Sequence, residues 1–212
     1  MRSPFNGLTD FQKNKLFILL GTHIYPYKKN QEILPTIKYD NIIAIVLDGL
    51  AEIVNIEYNG NETIKEKLEK NSVFGTNISG TNYEDYQIIA KKDTTILVID
   101  YDKLINPNNL NHNYFNIFYN NLFDIINVKF KEANERIRIL EKKQIRDKLL
   151  DFFEIEHKKT RQKNIYLDFS LKNLADYLAV DRSAMFRELK HLKEEKFIEV
   201  NGRKITLLYK NL

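Results

Sequence analysis

Arg182, Ser183 and Arg187 stand near the start of a segment whose apolar residues recur at helical spacing. Met185, Leu189 and Leu192, followed by Phe197 or Ile198, make the buried side of that helix, so the two guanidinium groups and the hydroxyl project from the other side. An arginine fork donates twice to the O6 and N7 acceptors of guanine, and a serine hydroxyl both donates and accepts. This chemistry recognises a base edge and breaks no bond.

The elements that must position these groups are legible around them. Leu171, Leu174, Ala175 and Leu178 form the apolar stripe of a preceding short helix, with Ser170 as its N-cap. Ala175 is small enough for a crossing helix to approach closely. Val180 begins the turn, and Asp181 caps the second helix, its charge matched to the positive end of the dipole. Two helices joined by such a turn place the start of the second helix in the major groove of DNA. Residues 197–207 follow as strand, turn and strand about Asn201-Gly202, the pair that favours a type I′ turn. The segment therefore predicts a winged helix-turn-helix whose DNA-facing residues are Ser170, Lys172, Arg182, Ser183, Ala184, Arg187 and Lys190, with Arg203 and Lys204 at the wing tip for phosphate. Winged helices also serve as protein-docking modules, which leaves a docking or ligand-sensing role without DNA as the alternative.

Charge favours nucleic acid. From residue 141 onward there are 17 Lys+Arg against 12 Asp+Glu; before it, 16 against 17. The basic excess sits with the two-helix segment, as phosphate binding requires.

Composition narrows the remaining classes. Of the 212 residues, 43% are hydrophobic, ample for one large domain or two modest ones. Cysteine is absent, which removes disulfides, thiolate nucleophiles and Cys-held iron–sulfur or zinc sites, and suits a cytoplasmic location. The longest aliphatic run, residues 42–47, is too short to span a bilayer, and no signal peptide is expected.

Residues 32–101 are rich in Ile, Val, Thr and Tyr and punctuated by turns, which predicts short strands in a sandwich or barrel. Strands are expected at 41–47, at 50–58 and 62–68 as a hairpin about Asn59-Gly60, and at 72–75, 86–90 and 94–99. Residues 17–20 read as core helix or strand. Pro107 is expected to start a helix that runs unbroken to at least Glu141. Along it, Tyr119, Phe123, Ile126, Phe130, Ala133, Ile137 and Leu140 fall at alternating steps of four and three, a heptad-like stripe. Phe115, Phe118, Leu122 and Ile125 make a second stripe in the first half. A helix that is apolar on two sides needs two partners. The first stripe outlasts the second, which favours packing on the β-domain by one and on the same helix of a second copy by the other over a helix simply buried within a monomer.

Residues 47–51 (Leu-Asp-Gly-Leu-Ala), the hairpin after them, 71–75 (Asn-Ser-Val-Phe-Gly), 90–99 and above all 180–198 resemble the cyclic-AMP receptor protein/FNR (Crp/Fnr) family of bacterial transcription regulators, over nearly the whole chain. The resemblance implies an α+β fold: an N-terminal cyclic-nucleotide-binding-like β-barrel (jelly roll) over 1–106, a long dimerisation helix over 107–141 and a winged helix-turn-helix over 142–212. It implies a homodimer on a palindromic double-stranded DNA site, with RNA polymerase as a further partner. It also makes Arg182, Ser183 and Arg187 the base readers; the family often carries glutamate at the place of Ser183.

In the effector pocket the chain departs from that family. The resemblance places the pocket at Phe74, Gly75, Thr76, Glu84, Asp85 and Tyr86. Thr76 follows the Phe-Gly pair where cyclic-nucleotide binders hold the ribose with glutamate. Their phosphate-binding arginine falls on or near Glu84 or Asp85, and no arginine occurs between Arg2 and Arg136. A carboxylate repels a phosphate instead of pairing with it, so cyclic AMP is not expected, and no cofactor is assigned. Haem would need an axial ligand, for which His23 and His112 are the candidates, although lone histidines are more often surface or core residues. Tyr25, Tyr27, Tyr83 and Tyr86 either line a pocket for a small apolar or peptide-like effector or belong to the barrel core. Enzymatic activity is not expected. The four histidines are scattered, and no nucleophile elbow, Walker loop or dinucleotide fingerprint is present.

Overall fold

A computed structural model describes residues 3–33, 41–56, 62–75, 86–167 and 169–209. They divide into two compact units, Met1–Val128 and Lys129–Leu212.

The first unit opens with helix α1 (Asp10–Leu20), which starts at a capping box: the Gln12 amide N–H donates to Thr9 Oγ1, and the Thr9 amide N–H donates to Gln12 Oε1. Among the described residues seven strands follow: β1 (His23–Tyr27), β2 (Ile42–Asp48), β3 (Leu50–Ile56), β4 (Glu62–Glu69), β5 (Val73–Phe74), β6 (Gln87–Ala90) and β7 (Thr94–Asp100). They form two antiparallel sheets, ordered β1-β7-β2-β5 and β4-β3-β6. The expected closed barrel is thus an open pair of sheets among the described residues. What joins them is a shared core: Ile42, Ala44, Val46, Ile96 and Val98 from one meet Ala51, Ile53, Leu68, Ile88 and Ala90 from the other. The alternate residues of the first sheet, Ile43, Ile45, Leu97 and Ile99, pack instead against helical side chains that include Leu16 and Leu20. Strand β2 is therefore covered on both faces, which is why it reads as an unbroken apolar run.

After β7 come a short helix α2 (Tyr101–Leu104) and a 3-10 turn over Pro107–Asn111; the long helix α3 (Asn113–Leu140) begins only at Asn113. The helix expected from Pro107 is delayed because asparagine side chains compete for the backbone. Asn106 accepts from the Asn108 amide, and the buried Asn109 side chain donates to the Lys103 carbonyl at 2.6 Å. Phe115, Phe118, Leu122 and Ile125 are buried against the outer face of the first sheet. The other stripe is not covered within the chain: Tyr119, Phe123, Phe130 and Ile137 are 40, 56, 67 and 53% exposed. Ala133 is also exposed, and Ile126 and Leu140 are half-buried.

The second unit adds α4 (Ile145–Thr160), β8 (Asn164–Tyr166), α5 (Leu171–Tyr177), α6 (Arg182–Glu194), β9 (Ile198–Asn201) and β10 (Lys204–Leu207). The three strands form an antiparallel sheet in the order β8-β10-β9. One core gathers Phe152 and Phe153 of α4, Leu174 and Ala175 of α5, Met185, Leu189 and Leu192 of α6, and Ile198 and Ile205 of the sheet. The last turns of α3 are fastened here too. Ile139 is buried in this core, Arg138 pairs with Asp151 at 3.3 Å, and Glu135 pairs with Lys159 at 3.3 Å.

Candidate nucleic-acid interface

Each predicted cap of the two-helix segment forms. Ser170 Oγ accepts from the Asn173 amide at 3.3 Å, and Asp181 Oδ1 accepts from the Ala184 amide at 2.8 Å. Between the helices Ala179 takes a left-handed φ of 49°, and the Val180 amide donates back to the Ala175 carbonyl. Val180 is half-buried against the core, as expected of a residue plugging the turn. One support was not foreseen. The buried Lys148 of α4 donates from Nζ to the Leu178 carbonyl at 3.0 Å, placing a cation at the negative end of α5.

This framework separates the two sides of α6. Met185 and Leu192 are fully buried and Leu189 nearly so, while Arg182, Ser183, Arg187 and Lys190 are exposed. Ser170 and Lys172, at the start of α5, are exposed as well; Ala184 is half-buried. The two arginines differ in their surroundings. Arg182 is held by Asp176, whereas Arg187 makes no ion pair among the described residues. The Arg182–Asp176 hydrogen bonds also raise the guanidinium pKa above its ordinary value. Lys190 pairs with Glu194 one turn on, at 3.7 Å. Phe186 lies 43% exposed beside Arg187, on the same side as Ser183 and Lys190. Sequence reasoning passed over it because an aromatic in a helix is ordinarily assigned to a core; its step of one from the buried Met185 was the available signal.

The wing forms with a different turn from the one expected. Asn201 pairs with Lys204, so the two loop residues are Gly202 and Arg203, and only Gly202 has positive φ, at 59°. That sign pattern belongs to type II′, with glycine first, and not to type I′. The shift by one residue puts Arg203 at the tip. The Arg203 carbonyl accepts from the Leu167 amide at 3.0 Å, which ties the tip to the end of β8. Lys204 is half-buried, its ammonium 5.8 Å from the centre of the Tyr166 ring.

In the first unit Phe74 is buried in the core shared by the two sheets, and Tyr86 packs against that core half-buried. Gly75 has φ of 153°, and a Cβ there would sit 2.2 Å from the Ile42 carbonyl oxygen, so the Phe-Gly pair is a backbone requirement. Thr76, Tyr83, Glu84 and Asp85 lie outside the described residues, as does the Asn59-Gly60 turn. Tyr25 and Tyr27 line a cavity of about 330 Å³ with Pro26, Gln31 and Glu32. His23 is exposed, and His112 is exposed and stacks on Tyr114. No three His, Asp or Glu side chains are placed to hold a metal ion among the described residues, and none of their helices is long and apolar enough to cross a membrane.

Together α5, α6 and the β9–β10 hairpin form a winged helix-turn-helix whose second helix is basic and exposed, the architecture of a DNA-binding module. Residues 134–211 match the Crp-like helix-turn-helix domain. The chain is also similar in structure to a mutant of CooA from Carboxydothermus hydrogenoformans, at 22% identity over 95% of this chain and 94% of that one, with a TM-score of 0.61. A cyclic nucleotide-binding domain containing protein from Listeria monocytogenes is 17% identical over 92% and 97% of the two chains, with a TM-score of 0.58. FixK2 from Bradyrhizobium japonicum is 17% identical over 89% and 93%, with a TM-score of 0.51. No curated protein sequence matches. Residues 134–211 thus carry a Crp-like helix-turn-helix domain, and the chain as a whole shares the fold of these three solved proteins.

Proposed function

We propose that this protein is a homodimeric, sequence-specific transcription regulator of the Crp/Fnr type that binds a palindromic DNA site. The observation that carries the reading is the division of α6: its apolar side is locked into the core, and Arg182, Ser183 and Arg187 are exposed at its N-terminal end. Such a helix enters a major groove end first, Arg203 and Lys204 of the wing reach for phosphate, and Ser170 and Lys172 border the same groove.

The dimer reading rests on α3. Burying Tyr119, Phe123, Phe130 and Ile137 against the same residues of a second copy removes from water an apolar stripe that one chain leaves open. Two recognition helices then address half-sites about 34 Å apart. The domain organisation proposed is a β-domain over 1–106, a dimerisation segment over 107–141 that is α-helical over Asn113–Leu140, and a DNA-reading domain over 142–212.

The β-domain is proposed as an effector domain that does not take cyclic AMP, since Thr76 and Glu84 or Asp85 replace the glutamate and arginine that such binding needs. An effector bound there acts only through unequal affinity for two arrangements of the recognition helices. RNA polymerase is the further partner and the cytoplasm the location that suit such a regulator, and the role is non-enzymatic.

The test is selection of duplexes from a random library with the full-length protein, followed by anisotropy titration. An enriched inverted repeat is expected, with Arg187→Ala weakening the selected site by about 1–3 kcal/mol and relaxing one base position in each half. Enrichment of no sequence, or a flat response to salt, contradicts the reading.

A further inference from the structure

The turn between α5 and α6 brings a carboxylate from one helix onto the first arginine of the next. Asp176 Oδ1 accepts from Arg182 Nε at 3.3 Å and from Nη2 at 3.1 Å, and Oδ2 accepts from Nη2 at 2.9 Å. This is a side-on grip. It occupies the Nε–Nη2 edge and leaves Nη1, together with the outer hydrogen of Nη2, without a partner among the described residues. The remaining Nη1–Nη2 edge presents two parallel N–H donors, a pair that matches the O6 and N7 acceptors of guanine. Both side chains are more than half exposed, and both are anchored on backbone fixed by the Ala179 conformation and the Asp181 cap. A surface pair of this kind adds little to folding. Its consequence lies in direction, because a long, freely rotating arginine is confined to one heading before any duplex arrives.

We propose that Asp176 is a specificity-determining positioning residue: it aims the end-on fork of Arg182 at a guanine while its negative charge weakens attachment to phosphate in general. The inference rests on the DNA-reading function above. Arg187, which has no such partner, is the internal contrast.

The test uses the full-length protein and the duplex that its own selection yields, beside a scrambled duplex of equal length. In Asp176→Asn the ratio of specific to non-specific affinity is expected to fall about three- to fivefold, the upper range for an exposed ion pair, with non-specific affinity equal or higher. The lost preference is expected at the guanine position that Arg182→Ala also loses, and at no position that Arg187→Ala loses. Asp176→Asn placed on Arg182→Ala is expected to lower the ratio of specific to non-specific affinity no further, an outcome that a general structural role would not give. Asp176→Ser repeats the measurement with a smaller side chain, and circular dichroism checks the fold of each variant. An unchanged or raised ratio in both variants overturns the proposal, as does a loss that persists on the Arg182→Ala background. If the wild type enriches no duplex, the DNA reading falls and this inference with it; if it selects a site that Asp176→Asn reads equally well, only this inference falls.

Discussion

Lys148 Nζ donates to the carbonyl oxygen of Leu178 across 3.0 Å, joining α4 to the end of α5 from beneath the recognition turn. The lysine is only 9% exposed, and its charge is answered by a helix C-terminus instead of a carboxylate. Replacing it with methionine keeps the aliphatic stem and removes the donor. Lys148→Met is expected to lower unfolding stability by about 1.5–3 kcal/mol, the range for a hydrogen bond to a charged group, read from urea denaturation. A loss below about 0.5 kcal/mol would show that water serves the Leu178 carbonyl equally well.

The open stripe of α3 gives a sharper outcome. Phe123 and Phe130 are 56 and 67% exposed and belong to no core cluster, so aspartate at both removes no core side chain of a single chain. Phe123→Asp with Phe130→Asp is expected to yield a folded monomer by sedimentation, with DNA affinity reduced to that of one half-site. A double variant that remains a dimer removes α3 as the interface.

Acid should loosen the far end of the DNA-reading unit. Arg146 pairs with both Glu188 and Glu195 and lies 5.0 Å from the centre of the Phe197 ring. Hydrogen bonding from Arg146 holds the Glu195 carboxyl below its ordinary value of 4.5. A depressed carboxylate contributes stability that is full above the unfolded value and is lost as pH falls through the folded one. The urea midpoint is therefore expected to decline below about pH 4.5, and Arg146→Gln to flatten that decline. Identical pH profiles for the two proteins would show that the pair adds nothing in water.

Much of this protein is local in origin and so was legible in its residues. Capping by Ser170 and Asp181 depends on an amide three residues on, and burial of Leu174, Met185 and Leu189 follows from helical spacing. The strands missed are those whose local signal is weak. Strand β1 contains Pro26, admissible because β1 is the edge of its sheet, and β8 has only three residues, too few to alternate. The turn type at Gly202 depends on which residues of β9 and β10 pair, a register that one strand cannot state alone.

By itself the sequence determined that there would be a basic helix-turn-helix with Arg182 and Arg187 outward, and a long helix apolar on two sides, since periodicity and capping are properties of neighbours along the chain. Only the tertiary structure decided that Phe115 and Phe118 meet the sheet while Phe123 and Phe130 stay open, and that Asp176 grips Arg182 but leaves Arg187 alone. Those outcomes depend on distances between atoms that are brought together when separate elements pack, and no spacing along one element contains them.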